Sequence, residues 1–73
     1  MSEIDTKTAK ILLNGESVEV TVTTVRQLLE SIGLDGRKVA VERNLEIVPK
    51  SAYDTTPILE SDRIEVVHFV GGG

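Results

Sequence analysis

No cysteine occurs in the 73 residues, so no disulfide or thiolate metal site can staple the chain, and no thiol nucleophile is available. Tryptophan is missing too, and the aromatics come down to Tyr53 and Phe69. With so few rings and a net charge of −4, the chain lacks the stacking platforms and the basic face that nucleic acid requires. No apolar run approaches a membrane span. The start, Met1-Ser2-Glu3-Ile4-Asp5-Thr6-Lys7-Thr8, lacks the basic-then-apolar layout of a secretory signal, so the expectation is a cytoplasmic protein without membrane partners. His68 is the one histidine. It has no second ligand for a metal and no patterned acid or serine for a catalytic triad, and reads as a half-buried polar residue where the core runs out. The length supports one small domain with a limited core, whose net stability is about 3–5 kcal/mol.

Residues 1–8 read as a flexible extension. Lys10 to Leu13 is a short apolar strand, and Asn14-Gly15 marks a tight hairpin, since both residues tolerate positive φ. Ser17 to Val22 alternates, with Val18, Val20 and Val22 on one face. Thr24 followed by Gln27 fits a capping box. Val25, Leu28, Leu29 and Ile32 then form a helical stripe over residues 25–32, which Gly33 ends, with Leu34 packing back. So short a helix cannot hold alone in water and must pack on a sheet. After a loop at Leu34 to Arg37, Lys38 to Arg43 is a strand with Val39 and Val41 inward and Glu42 outward. Asn44-Leu45 turns the chain into Glu46-Ile47-Val48, which Pro49 restricts to a sheet edge. Residues 50–62 are irregular, with Tyr53, Ile58 and Leu59 plugging the bottom of the core. Arg63 to Val70 is the last strand. This order predicts an α+β fold of the β-grasp (ubiquitin-like) type over residues 9–70. One main helix covers one face of a mixed four- or five-stranded sheet, and the last strand lies parallel to the first at its centre.

In the last strand Ile64, Val66 and His68 share one face, and Glu65, Val67 and Phe69 the other. Glu65 is costly to bury unpaired, so its face is assigned to solvent. Val67 and Phe69 then stand on the helix-free face, joined by Leu12 and Ala40, whose parity matches Lys10 and Glu42. These four residues form a candidate partner-docking patch.

The strand runs straight into Gly71, Gly72 and Gly73. Terminal glycines are also what a frayed chain end has. Yet a tail without side chains and with a free carboxylate suits delivery of that carboxyl into a narrow site on another protein. Nothing in the body resembles an active site. Glu42, Glu46, Glu60 and Asp62 read as a solvated acidic surface, and the glycines lack the helix and lysine of a phosphate-binding loop. If the protein takes part in chemistry, the reacting atom is the terminal carboxyl carbon.

Asn14-Gly15-Glu16, Val39-Ala40-Val41-Glu42-Arg43-Asn44 through Ile47-Val48-Pro49, and Asp62-Arg63-Ile64-Glu65-Val66-Val67 ending in three glycines together resemble the ThiS family of thiamine-biosynthesis sulfur carriers. The likeness covers nearly all of residues 9–73. Ser61 departs from it, where the family often has glycine, and so does Lys50, where arginine is common. The resemblance implies a carrier that is a substrate of enzymes and not itself an enzyme. An E1-like adenylating enzyme, using ATP and magnesium that the carrier does not bind, would convert the Gly73 carboxylate to an acyl-adenylate. Sulfur from a cysteine desulfurase relay would displace AMP to leave a thiocarboxylate, and thiazole synthase would take that sulfur. Gly71 and Gly72 would thread the partner. The small subunit of molybdopterin synthase is the nearest alternative, although that family usually carries prolines before its terminal Gly-Gly, where this chain has Val67-His68-Phe69-Val70. A non-reactive ubiquitin-like interaction module is the alternative from a different class.

Overall fold

The computed structural model describes residues 8–68; the expectations for residues 1–7 and for Phe69 to Gly73 lie outside them. Five strands form one mixed sheet: β1 (Ala9–Leu13), β2 (Glu16–Val20), β3 (Val39–Arg43), β4 (Glu46–Val48) and β5 (Arg63–His68). Their order is β2-β1-β5-β3-β4, with β5 parallel to β1 and antiparallel to β3. One helix, α1 (Val25–Ser31), packs on one face. This is the β-grasp arrangement expected, with five strands.

Both hairpins turn on asparagine. Asn14 and Gly15 have φ of 50° and 83°, and Asn44 and Leu45 have 54° and 71°, the positive pair that a primed two-residue turn requires. The edges fall on β2 and β4, as Pro49 demanded of β4. β2 ends at Val20, two residues earlier than expected, but Val18, Val20 and Val22 all pack against the core.

The helix owes its existence to its surroundings. Val25, Leu28 and Leu29 are at most 1% exposed, and each contributes about 1.5–3 kcal/mol by burial. All four N-terminal amides have acceptors. Val25 and Arg26 donate to the carbonyls of Thr56 and Tyr53, Gln27 to Thr24 Oγ1, and Leu28 to the Thr24 carbonyl. The Gln27 side chain does reach back, but to Thr23, accepting from its N–H and its hydroxyl at 2.8 Å. At the other end Gly33 N–H donates to the Glu30 carbonyl and Leu34 N–H to Leu29. With Gly33 at φ 77°, this is a Schellman stop. Ile32, placed in the buried stripe from sequence, is 42% exposed. The chain leaves the helix axis there, and Leu34 takes the packing position instead.

Residues 50–62 are more ordered than their composition suggested. A 3-10 turn at Lys50–Ala52 is followed by a stretch that supplies the carbonyls for α1, with Pro57 bridged to Thr24. Lys50 Nζ binds the carbonyl of Val39 at 2.8 Å, tying this segment to the start of β3. Tyr53 and Ile58 are buried, but Leu59 is 52% exposed. The tight turn over Leu59 to Asp62 faces Leu59 outward while its N–H is held by Asp62. In the expected loop, Asp35 caps a second 3-10 turn, Gly36–Lys38. The hydrogen bonds and charge of Arg37 hold the Asp35 carboxyl at about 2.

Ser61 has φ 70°, a conformation that glycine adopts without the Cβ penalty. Ser61→Gly should raise the urea midpoint by an amount worth about 0.5 kcal/mol, the relieved strain partly offset by lost chain entropy. Gly33→Ala should lower it by about 1 kcal/mol, since a Cβ there meets no atom within 4 Å and only the backbone objects. Equal midpoints for both variants and wild type would refute this account.

Candidate functional site

The parity of β5 sets the two faces. Ile64 is fully buried and Val66 half-buried beneath α1, whereas Val67 is 60% exposed on the helix-free face. Ala40 lies directly opposite Val67, and Leu12 opposite Arg63. Leu12, Ala40 and Val67 therefore share the face assigned from sequence, and Phe69 lies outside the described residues. The structure brings Ala40 and Val67 together. Leu12 is four residues down β5, roughly 13 Å away. Around Leu12 a shallow hollow is lined in part by Leu45 and Arg63. Ile47, opposite Glu42, is 75% exposed on the same face. Its parity with Glu42, already assigned outward, would have placed it there from sequence.

Between the two apolar ends sit Glu42 and Glu65, paired directly across β3 and β5. Like charges so placed repel. Glu65 is half-buried, less open to solvent than expected, because it lies in the middle of the sheet. His68 is exposed, not half-buried: at the end of β5 it extends past the last residues that pack beneath the helix. Among the described residues no group of His, Asp and Glu could hold a metal ion, and no helix is long and apolar enough to cross a membrane.

The start of β5 rests on a buried acid that sequence reading placed on the surface. Asp62 is 5% exposed. Its carboxylate accepts from Arg43 Nε at 2.8 Å, Asn44 Nδ2 at 3.0 Å and Leu59 N–H at 2.8 Å. Glu60 Oε1, by contrast, is exposed and accepts from Lys10 N–H. Asn44 Oδ1 accepts from Arg63 N–H at 2.9 Å, and Asn14 Oδ1 from Val66 N–H at 2.7 Å. Both turn asparagines thus hold β5 by their side chains. Gly71, Gly72 and Gly73 lie outside the described residues, beyond the end of this strand.

The ThiS family model matches residues 11–73. A thiazole synthase from Paramagnetospirillum magneticum is 51% identical over 65 residues, which cover 88% of this chain and 20% of that protein. The sulfur carrier protein ThiS of Bacillus subtilis is 44% identical over 63 residues, covering 84% of this chain and 96% of that protein. The chain thus spans about a fifth of the thiazole synthase and nearly the whole of the carrier. The crystal structure of a thiamine biosynthesis protein (ThiS) from Geobacter metallireducens is similar, with a TM-score of 0.75 at 29% identity over 88% of this chain and 99% of that one.

Burial pushes the Asp62 carboxyl up, but the hydrogen bonds from Asn44, Leu59 and Arg43 outweigh it and hold the pKa below its ordinary 3.8. A depressed acid contributes stability that is present above about pH 4 and lost as pH falls through the folded value. Asp62→Asn should therefore cost about 2–3 kcal/mol at pH 7, and the gap to wild type should narrow as pH falls below about 4. Urea midpoints across that range check it; a gap that widens in acid would contradict the assignment.

Proposed function

The chain belongs to the ThiS family, and from that membership we propose that it carries sulfur for thiamine biosynthesis as a thiocarboxylate on Gly73. The observation that carries the proposal is the end-to-end match to a protein named as a sulfur carrier, 96% of whose length is covered. The geometry supports it. β5 is paired with β3 as far as His68 and held on its β1 side as far as Val66, so the five residues that follow extend from the end of a sheet strand.

A carboxylate resists nucleophiles. Its oxygen attacks the α-phosphorus of ATP, pyrophosphate leaves, and the acyl-adenylate gains AMP as a leaving group. The terminal sulfur of a persulfide then adds to the carbonyl carbon as the bond to AMP breaks, and a thiol reductant cleaves the S–S bond of the resulting acyl disulfide, leaving sulfur where oxygen was. The adenylating enzyme supplies ATP and magnesium, a cysteine desulfurase relay supplies the sulfur, and thiazole synthase receives it. This chain contributes the unhindered carbonyl and the surface that docks. Gly71 and Gly72 leave room for the partner to close around it. Ala40 and Val67 form the apolar contact nearest the tail, with Glu42 and Glu65 beside them to meet a basic partner surface.

Thiazole synthase is favoured as a partner because stretches about half identical to this chain form a fifth of two proteins of that name. A stretch similar to this chain thus lies within proteins named as thiazole synthases. The carrier itself is a co-substrate, and its place is with the soluble enzymes of the cytoplasm.

Charging with the adenylating enzyme, ATP, magnesium and a sulfur source should raise the intact mass by about 16 Da, the oxygen-to-sulfur exchange at an acyl carbon. Gly72→Val should keep the wild-type thermal midpoint and release no pyrophosphate. An unchanged wild-type mass would count against the carrier role, and normal pyrophosphate release from Gly72→Val against the threading role of the glycines.

A further inference from the structure

We infer that Asn14 is a positioning residue for the C-terminal tail: its side-chain carbonyl supplies the last rung that holds β5 on its β1 side. The inference rests on the carrier reading above and brings a residue of the body into it.

The parallel pairing of β1 with β5 covers only Leu12 opposite Arg63 and Leu13 opposite Ile64. Leu12 N–H donates to the Asp62 carbonyl and Asn14 N–H to Ile64, both at 2.9 Å. In a regular parallel ladder the next acceptor, for Val66 N–H, is the backbone carbonyl of Asn14. The chain turns at Asn14 with φ 50°, and Val66 N–H is met instead by Asn14 Oδ1 at 2.7 Å. Asparagine does two jobs here. It tolerates the left-handed turn, and it offers an acceptor where the strand would have continued. Glycine could do only the first.

The rung lies where two-sided support ends. Past Val66, β5 is paired in the described residues only with β3, through Ala40 opposite Val67 and Val39 opposite His68. Gly73 is seven residues beyond Val66, a contour of at most roughly 23 Å. The end of β5 sets where the tail starts, and near-attack geometry tolerates little misplacement. Without the rung, two-sided support retreats to Ile64, about 7 Å further back along β5. Asn44 offers the natural comparison. Its Oδ1 makes the same kind of bond to Arg63 N–H, but at the far end of β5, where a loosened rung does not reach the tail.

Asn14→Gly keeps the turn and removes the acceptor, and Asn14→Asp returns an acceptor oxygen. We expect Val66 amide exchange to be about tenfold faster in Asn14→Gly and restored in Asn14→Asp. With the adenylating enzyme and ATP, kcat for Asn14→Gly should fall about tenfold with KM for the carrier within about twofold of wild type, because the docking face is untouched. Asn14→Asp should recover it. Asn44→Gly should lower the urea midpoint while leaving kcat unchanged. An unimpaired Asn14→Gly, failure of Asn14→Asp to rescue, or an equal kcat loss in Asn44→Gly would each overturn the positioning role. A wild-type chain that takes no sulfur would instead overturn the carrier reading, and the tail role with it, whatever the exchange at Val66 shows.

Discussion

β5 must pair on both sides for this fold to exist. Remove it and the remaining strands fall into two separate hairpins, β1 with β2 and β3 with β4, neither of which holds alone in water. Ile64, its second residue, is fully buried in the core it shares with Leu28 and Leu29 of α1, Ile11 and Val41, and the helix has no sheet to cover until β5 joins the halves. The joining strand is also among the last in sequence. A stretch essential to folding therefore runs directly into the stretch assigned to chemistry. That continuity makes the tail the direct extension of a strand paired with β3 as far as His68.

Polar groups, and not only apolar burial, secure this strand. Asp62 gathers Arg43, Asn44 and the Leu59 amide at its beginning, and the two turn asparagines take the Arg63 and Val66 amides. Each hairpin turn is thereby coupled to the strand between the hairpins. In a chain with few core residues such bonds matter, since leaving one buried donor unmet costs about 1–3 kcal/mol. The same economy shapes the functional face. The helix-free face carries Ala40 opposite Val67, with paired Glu42 and Glu65 beside them, and this is the surface proposed for docking.

Much of this was legible from residue order. Asn14-Gly15 and Asn44-Leu45 announced both turns, Thr24 and Gly33 bracketed the helix, and Pro49 put β4 on an edge. The parity of Glu65 against Ile64 and Val66 gave the two faces of β5, and with them the shared face of Leu12, Ala40 and Val67. Other features depend on partners distant in sequence. Asp62 reads as a surface acid until Arg43 and Asn44 are folded beside it. Ile32 fits the helical stripe, and only the direction of the chain after Gly33 exposes it. Leu59 looks like core, but a local turn decides which way it points. The roles of the Asn14 and Asn44 side chains lie in the register between β5 and its neighbours, which no local pattern contains. The separation of Leu12 from Val67 is likewise a matter of strand stagger.

The central claim is that the body is a scaffold and the reacting atom is its last carbonyl. Tandem mass spectrometry of the sulfur-charged protein tests it most directly. The account predicts that the oxygen-to-sulfur increment is carried by the C-terminal fragment and localises to Gly73. Sulfur found on any other residue would contradict it.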